Sequence, residues 1–447
     1  MVSTTTTGRV DLRLEDGRIS EIGPELAALP GDAEVDAAGQ LVIPGIVDVH
    51  VHLRDPGSPE RESFESGTAA AASNGVTTIL EMPTADVPVT TAERLVTRGT
   101  HLTGRSYIDF GLYGGAGRDS LEDVADCAAA GAIAFKTFTH RPTAARAAAF
   151  EGLWSVSAPD LRQTMRAVAA TGRIHAMHCE DDSLLEFFAG LDDPTASFGQ
   201  RHRSARPSVV EQAAVAMATT LARDTRARLH LVHVSTDEAV QIAAAARQMG
   251  ADLTVETCAH YLLLDDATLE LFGSHAKCNP PLRPSDTRKR LVQALRDGRI
   301  DLVASDHCSF TPEEVAEHAD DPVGALPGLP GIEFLLPSLL RVVEQDGVDL
   351  RQMVAAVTST PARRFGLTGK GDIAVGHDAD VVVVDQDAPA GFHHDQDYYA
   401  RGSRNAVYLE GLELRGRARH TFVRGRPVIE DGKLCGSPDH GRWLRAR

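Results

Sequence analysis

Short apolar runs recur through the middle of the chain, each followed by an Ala-rich stretch of mixed polarity. Eight such runs stand out: LVIPGIVDVH (41–50), GVTTILEM (75–82), YIDFGLY (107–113), AIAFKTF (132–138), RIHAMH (173–178), RLHLVHV (228–234), DLTVETC (252–258) and DLVASDH (301–307). Near-continuous apolar strands alternating with helices predict a parallel sheet buried on both faces. Eight of them predict a closed (β/α)8 barrel before an open sheet. The intervening stretches SFESGTAAAASNG and SVVEQAAVAMATTLARD each open on a serine, a good helix N-cap.

The two ends follow a different rhythm. RVDLRLEDGRISEIG and AEVDAAGQLVI alternate polar and apolar positions around Asp-Gly turns, and so do DIAVGHDADVVVVD and TFVRGRPVI near the other end. Alternation of this kind predicts half-buried strands. We expect residues 1–43 and 372–447 to build one small β-sandwich, the latter range including the tail, and residues 44–371 to form the barrel.

Composition adds exclusions. The chain has 447 residues, 43% hydrophobic and 24% charged, which suits one large domain plus a smaller one. A formal net charge of −18 argues against a nucleic-acid partner, which calls for a basic surface. Six cysteines without a CxxC pair are sparse for this length, as expected of a reduced cytoplasmic protein. The N-terminal MVSTTTTGRV has no apolar core, so no signal peptide is expected, and no run is long enough to span a membrane.

The chemistry collects at strand ends. Asp48, His50 and His52 end the first run, Lys136 lies in the fourth, His178 ends the fifth, His233 is in the sixth, and Asp306 and His307 end the eighth. Barrel active sites lie at that C-terminal face. Residues i and i+2 of a strand share a face, so His50 and His52 can share one metal. Two histidines satisfied by hydrogen bonds are the bland alternative; His178, His233 and Asp306 at equivalent ends favour the metal. Four histidines and a carboxylate suit zinc or a similar divalent ion. Asp306 is read as ligand and as general base toward a metal-activated water. Two readings are open for Lys136. Its amine snorkels out of the barrel top, or it is buried, loses its proton and adds carbon dioxide to become an anionic carbamate able to bridge two cations.

Longer segments carry a resemblance. LVIPGIVDVHVHLRDPG, FESGTAAAASNGVTTI, GAIAFKTF, HAMHCED, LHLVHVS, VETCAHYLLL, CNPPLR, ASDHCSF and STPARRFGL…GDIAVGHDADVVVVD are together similar to the cyclic amidohydrolases, the group of dihydroorotase, allantoinase and hydantoinase (dihydropyrimidinase). The resemblance covers almost the whole chain. It implies two metal ions, His50 and His52 on one, His178 and His233 on the other, carbamylated Lys136 between them, and Asp306 as ligand and base. All six positions are filled, whereas a non-catalytic scaffold relative need not keep them.

Substrate markers divide. DVHVHLRDPG resembles dihydroorotase, where the arginine matching Arg54 grips the substrate carboxylate, and Asn279 in CNPPLR points the same way. MPTADVP places Thr84 where dihydroorotases usually carry asparagine, and DHCSF places Phe310, which resembles a hydantoinase, where dihydroorotases usually carry histidine. ETCAHYL and the fourth strand lean toward allantoinase; the hydantoinase tyrosine of that strand is absent, with Thr139 and His140 nearby. The expectation is ring opening of a small cyclic amide or ureide, dihydroorotate first and allantoin or hydantoin as the alternative, by a homo-oligomer (dimer or tetramer). The Gly/Pro-containing segment 311–329 is expected to lie over the site and to close on substrate.

Overall fold

The computed structural model describes residues 1–2, 7–37, 39–390 and 406–446. The portions of the expected sandwich at 3–6, 38, 391–405 and 447 lie outside the described residues.

Eight parallel strands form a ring: Ile46–His52, Val76–Glu81, Asp109–Leu112 with Gly114–Gly115, Ala134–Phe138, Ile174–His178, Arg228–Leu231, Leu253–Cys258, and Leu302–Ala304 with His307–Cys308. Closure depends on two strands that change partner midway. Asp109–Leu112 pairs with the second strand, and Gly114–Gly115 with the fourth. Leu302–Ala304 pairs with the seventh strand, and His307–Cys308 returns to the first through His307↔Val51 and Cys308↔His52. One apolar cluster draws Val49, Leu80, Tyr113, Ile174 and Leu302 from strands all around the ring, which places it inside the barrel. Phe365 joins that cluster and packs edge-on against Tyr113 and His230.

The sequence expectation of one strand over 41–50 is corrected. Leu41–Pro44 pairs antiparallel with Val381–Val384, in a five-stranded sheet with the strands Arg415–Val423, Arg426–Glu430 and Lys433–Leu434. The barrel strand begins only at Ile46. Both pieces are mostly buried, so hydropathy runs through the junction unbroken. Gly45 is the joint: a Cβ there would lie 2.1 Å from the Thr77 hydroxyl. The hairpin Asp11–Glu15/Arg18–Gly23 packs on the sheet through Ile19, Ile373 and Val381. Both chain ends therefore build the small β unit beside the barrel.

The tail departs from that unit. Trp443–Leu444 pairs in parallel with Phe110 and Gly111 of the third barrel strand. The lower part of that strand has a free edge because its upper part carries the pairing to the fourth. Gly99 makes room, since a Cβ there would meet the Trp443 ring at 2.4 Å. Among the described residues no helix is long and apolar enough to cross a membrane.

Candidate active site

His50 and His52 end the first barrel strand with their Nε2 atoms turned to one carboxylate. Asp306 Oδ1 lies 3.1 Å from His50 and 3.5 Å from His52. Behind them, His50 Nδ1 lies 2.8 Å from Glu256 Oε1, and His52 Nδ1 lies 2.7 Å from Thr84 Oγ1. Glu256 is fully buried on the seventh strand, where it also meets His230 Nε2 at 2.9 Å and accepts the His233 backbone N–H. Burial alone would raise its pKa; the His50 and His230 rings outweigh burial and hold it well below the usual carboxylate range. Such outer acceptors fix the tautomer and aim of a metal-binding histidine.

On the opposite side His178 Nδ1 faces His233 Nε2 at 2.9 Å. His178 Nε2 is held by Glu180 Oε2 at 2.8 Å, and Arg206 also donates to that oxygen. Thr139, on the chain leaving the fourth strand, donates to the carbonyls of His178 and Glu180. Burial lowers the pKa of both rings, so they carry lone pairs rather than charge.

Lys136 is 1% exposed, and among the described residues its amine has no hydrogen-bond partner. Burial brings its pKa down to about 8, although Asp306 and Glu256 pull it up. The structure therefore favours the buried amine over the snorkelling one. Asp306 sits in the break of the eighth strand at φ 48°, with His233 at 41° and Arg54 at 60°. Three site residues in the left-handed region are held there by their surroundings. Asp48 helps: its carboxylate accepts the N–H groups of His50 and Ser305 and ties the first strand to the eighth.

His50, His52, Lys136, His178, His233 and Asp306 line a cavity with about 560 Å³ of empty space, partly open to solvent. Arg54, Thr84 and Asn279 line it as well. Arg54 Nη2 donates to Cys308 Sγ at 3.0 Å. Phe310 is not among the lining residues; its ring lies beneath the guanidiniums of Arg54 (5.3 Å) and Arg61 (5.1 Å), so it reaches the cavity only through Arg54. His307, at the end of the same strand, turns away to Glu62. The segment 311–329 carries a short helix, Pro312–Glu317, and contributes Pro327 and Gly328 to the cavity wall. Lys277 pins it by donating to the Pro322 and Ala325 carbonyls.

Sequence reasoning missed Glu256 and Glu180. Glu256 carried a signal, an acid in the middle of a buried strand; Glu180, two residues after His178, carried a weaker one. It also missed Arg146, which lines the cavity from the segment after the fourth strand.

The donor set fits divalent cations. Four imidazoles converge, two of their nitrogens face each other at 2.9 Å, and among the described residues a buried amine has no hydrogen-bond partner. His50, His52 and Asp306 alone offer three ligand atoms within 4.8 Å of one another.

Comparison with known proteins agrees. The amidohydrolase family model matches residues 41–428. An allantoinase of Deinococcus radiodurans is 36% identical over 98% of this chain and 95% of its own. A dihydroorotase of Syntrophotalea carbinolica is 35% identical, covering 94% of each chain. The solved L-hydantoinase (dihydropyrimidinase) of Arthrobacter aurescens superposes with a TM-score of 0.90 at 28% identity, over 100% of this chain and 98% of that one. The chain belongs to the amidohydrolase family, metal-dependent hydrolases, here built for cyclic amides.

Proposed function

We propose that the protein opens a cyclic ureide by hydrolysing its ring amide, with the allantoin type of ring as the first reading. The observation that carries the chemistry is the convergence of His50, His52, His178, His233 and Asp306 around the unpartnered Lys136 amine. The allantoinase names of several full-length relatives support the ring type. One observation favours a second reading, dihydroorotate: Arg54 lines the cavity and, among the described residues, pairs with no carboxylate.

His50 and His52 would hold one divalent ion, zinc by the chemistry of the donors, and His178 and His233 the other. The buried Lys136 amine would react with carbon dioxide, releasing a proton, and the resulting carbamate would add an anionic ligand to the two-ion site. Bound there, the ions supply polarisation of the ring carbonyl and an acidified water. Asp306 takes the proton from the attacking water and delivers it to the leaving ring nitrogen. Glu256, Thr84 and Glu180 keep the imidazoles aimed throughout.

The test is an assay of zinc-loaded protein against allantoin, dihydroorotate, hydantoin and dihydrouracil. Turnover of allantoin above the others is expected. Turnover of dihydroorotate alone supports the second reading, and turnover of none sinks the proposal.

A further inference from the structure

After His307–Cys308 the chain leaves the barrel, runs through the short helix Pro312–Glu317, and returns at Leu329, whose carbonyl accepts the Cys308 N–H at 3.0 Å. The returning stretch brings Pro327 and Gly328 into the cavity wall. It fits there closely. A Cβ on Gly328 would lie 2.7 Å from the Cys308 Cβ and 3.0 Å from the Phe310 ring, and Cys308 in turn accepts from Arg54. A shift of this stretch would therefore reshape the wall.

Lys277, from another loop, ties the stretch down. It follows the 3-10 turn Gly273–Ala276 and is 4% exposed. Its amine donates to the Pro322 carbonyl at 2.8 Å and to the Ala325 carbonyl, and its own carbonyl accepts the Gly328 N–H at 2.9 Å. The ties from this one residue span 322–328. The base of the tie is fixed as well: His202 donates to the Cys278 carbonyl at 2.9 Å, and Cys278 and Asn279 continue the cavity wall. Arg201 also reaches the stretch, at the Asp320 carbonyl, but at 3.4 Å and in the open.

The lysine does not act there as one half of an ion pair. Among the described residues no carboxylate pairs with its amine, which has backbone carbonyls as partners. Burial, with repulsion from Arg206 and Arg146 and against the pull of Asp321, brings its pKa down to about 7. A neutral amine has two N–H groups, and two carbonyls answer them; an ammonium would keep a third donor. Burying an amine is costly, and the return is a backbone wall held in place beside the metal-binding residues.

We infer that Lys277 is a positioning residue for the ring substrate: it straps 322–328 to the barrel mouth, so that Pro327 and Gly328 stand as a fixed wall of the cavity. This rests on the ring-opening reading above and adds to it a side chain outside the metal-ligand set. A wall already in place spares the substrate the cost of ordering it, so loss of the strap shows in KM before kcat.

The test uses the zinc-loaded full chain with allantoin as the probe. Lys277→Met keeps the length and the apolar stem and removes both donors. It should raise KM about 10-fold and leave kcat within about threefold. Lys277→Gln, with two N–H donors on a shorter arm, should recover part of the loss. Backbone amides of 318–328 should exchange hydrogen about 10-fold faster in Lys277→Met than in the wild type, while exchange in the barrel strands stays the same, which also shows that the variant folds. Lys277→Ala is a second donor-free variant with the same expectations, in case methionine does not fit the site. Unchanged exchange in 318–328, an unchanged KM beside faster exchange, a loss in kcat as large as that in KM, or a Gln variant no better than Met overturns the inference. Calorimetric binding of allantoin, read without turnover, separates the two claims. If the wild type binds allantoin about 10-fold more tightly than Lys277→Met yet does not open it, the strap stands and the ring-opening reading falls; if the wild type binds no allantoin, both fall.

Discussion

His178 Nδ1 and His233 Nε2 face each other at 2.9 Å, from the ends of the fifth and sixth barrel strands. Both rings are buried, and burial keeps both neutral. Only one proton can lie between two such nitrogens. A cation lets both lone pairs work at once, and the second nitrogen of His178 is already committed to Glu180.

That commitment makes Glu180 testable. Glu180→Gln keeps a hydrogen-bond acceptor behind His178 but removes its charge and strands Arg206. Zinc affinity should fall about 10–100-fold, measured by competition with a chromogenic chelator. Glu256→Gln, behind His50, should do the same. Unaltered affinity in both would show that these carboxylates do not support the metal ligands.

Lys136 stands on a trade between function and stability. Its unpartnered buried amine costs the metal-free protein stability, since a buried polar group without a hydrogen bond is unfavourable. Lys136→Met should stabilise the metal-free protein by about 1–3 kcal/mol, read by urea denaturation, while bound metal and turnover collapse. A metal-free variant less stable than the wild type, or one that retains full metal content by elemental analysis, would contradict this role.

Glu81 holds the turn that carries Arg54. It is fully buried, pairs with Arg98 at 2.6 Å, and accepts the backbone N–H groups of Leu53 and Arg54 at 3.0 Å. Glu81→Ala leaves Arg98 uncompensated and should cost about 3–5 kcal/mol. Glu81→Gln should cost less and should raise KM more than it lowers kcat, because the turn presenting Arg54 loosens. Denaturation and steady-state kinetics on the two variants decide it; a KM unmoved by Glu81→Gln would separate this turn from substrate binding.

Lys277 sets a pH dependence of stability. Burial, with repulsion from Arg206 and Arg146, brings its pKa from 10.5 down to about 7. Between roughly pH 7 and 10 the unfolded chain therefore binds more protons at this site than the folded one. Stability from this group rises with pH across that window and is lost as pH falls through 7. The melting temperature of the wild type relative to Lys277→Met should climb by about 2 °C or more from pH 7 to 9. A constant difference across those pH values would mean that the amine does not titrate there.

The metal-ligand candidates were legible because they depend on local rules. Parity along a strand puts His50 and His52 on one side, and a parallel barrel gathers strand ends at one mouth, so His178, His233, Lys136 and Asp306 could be assembled without coordinates. The β unit made from both ends was legible for the same reason, through alternation. What remained hidden depends on which residues meet across the fold. Hydropathy could not separate Leu41–Pro44 from Ile46–His52, since both are buried, though in different sheets. Nor could it send Trp443–Leu444 to the third barrel strand. Glu256 became an acceptor for His50 only because barrel closure brings the seventh strand next but one to the first, with the eighth between them. Arg146 entered the cavity only because its turn packs on Phe150. A strand pattern records which face a side chain takes; it holds no record of the partner on the other side, and partners decide tautomer, charge balance and substrate.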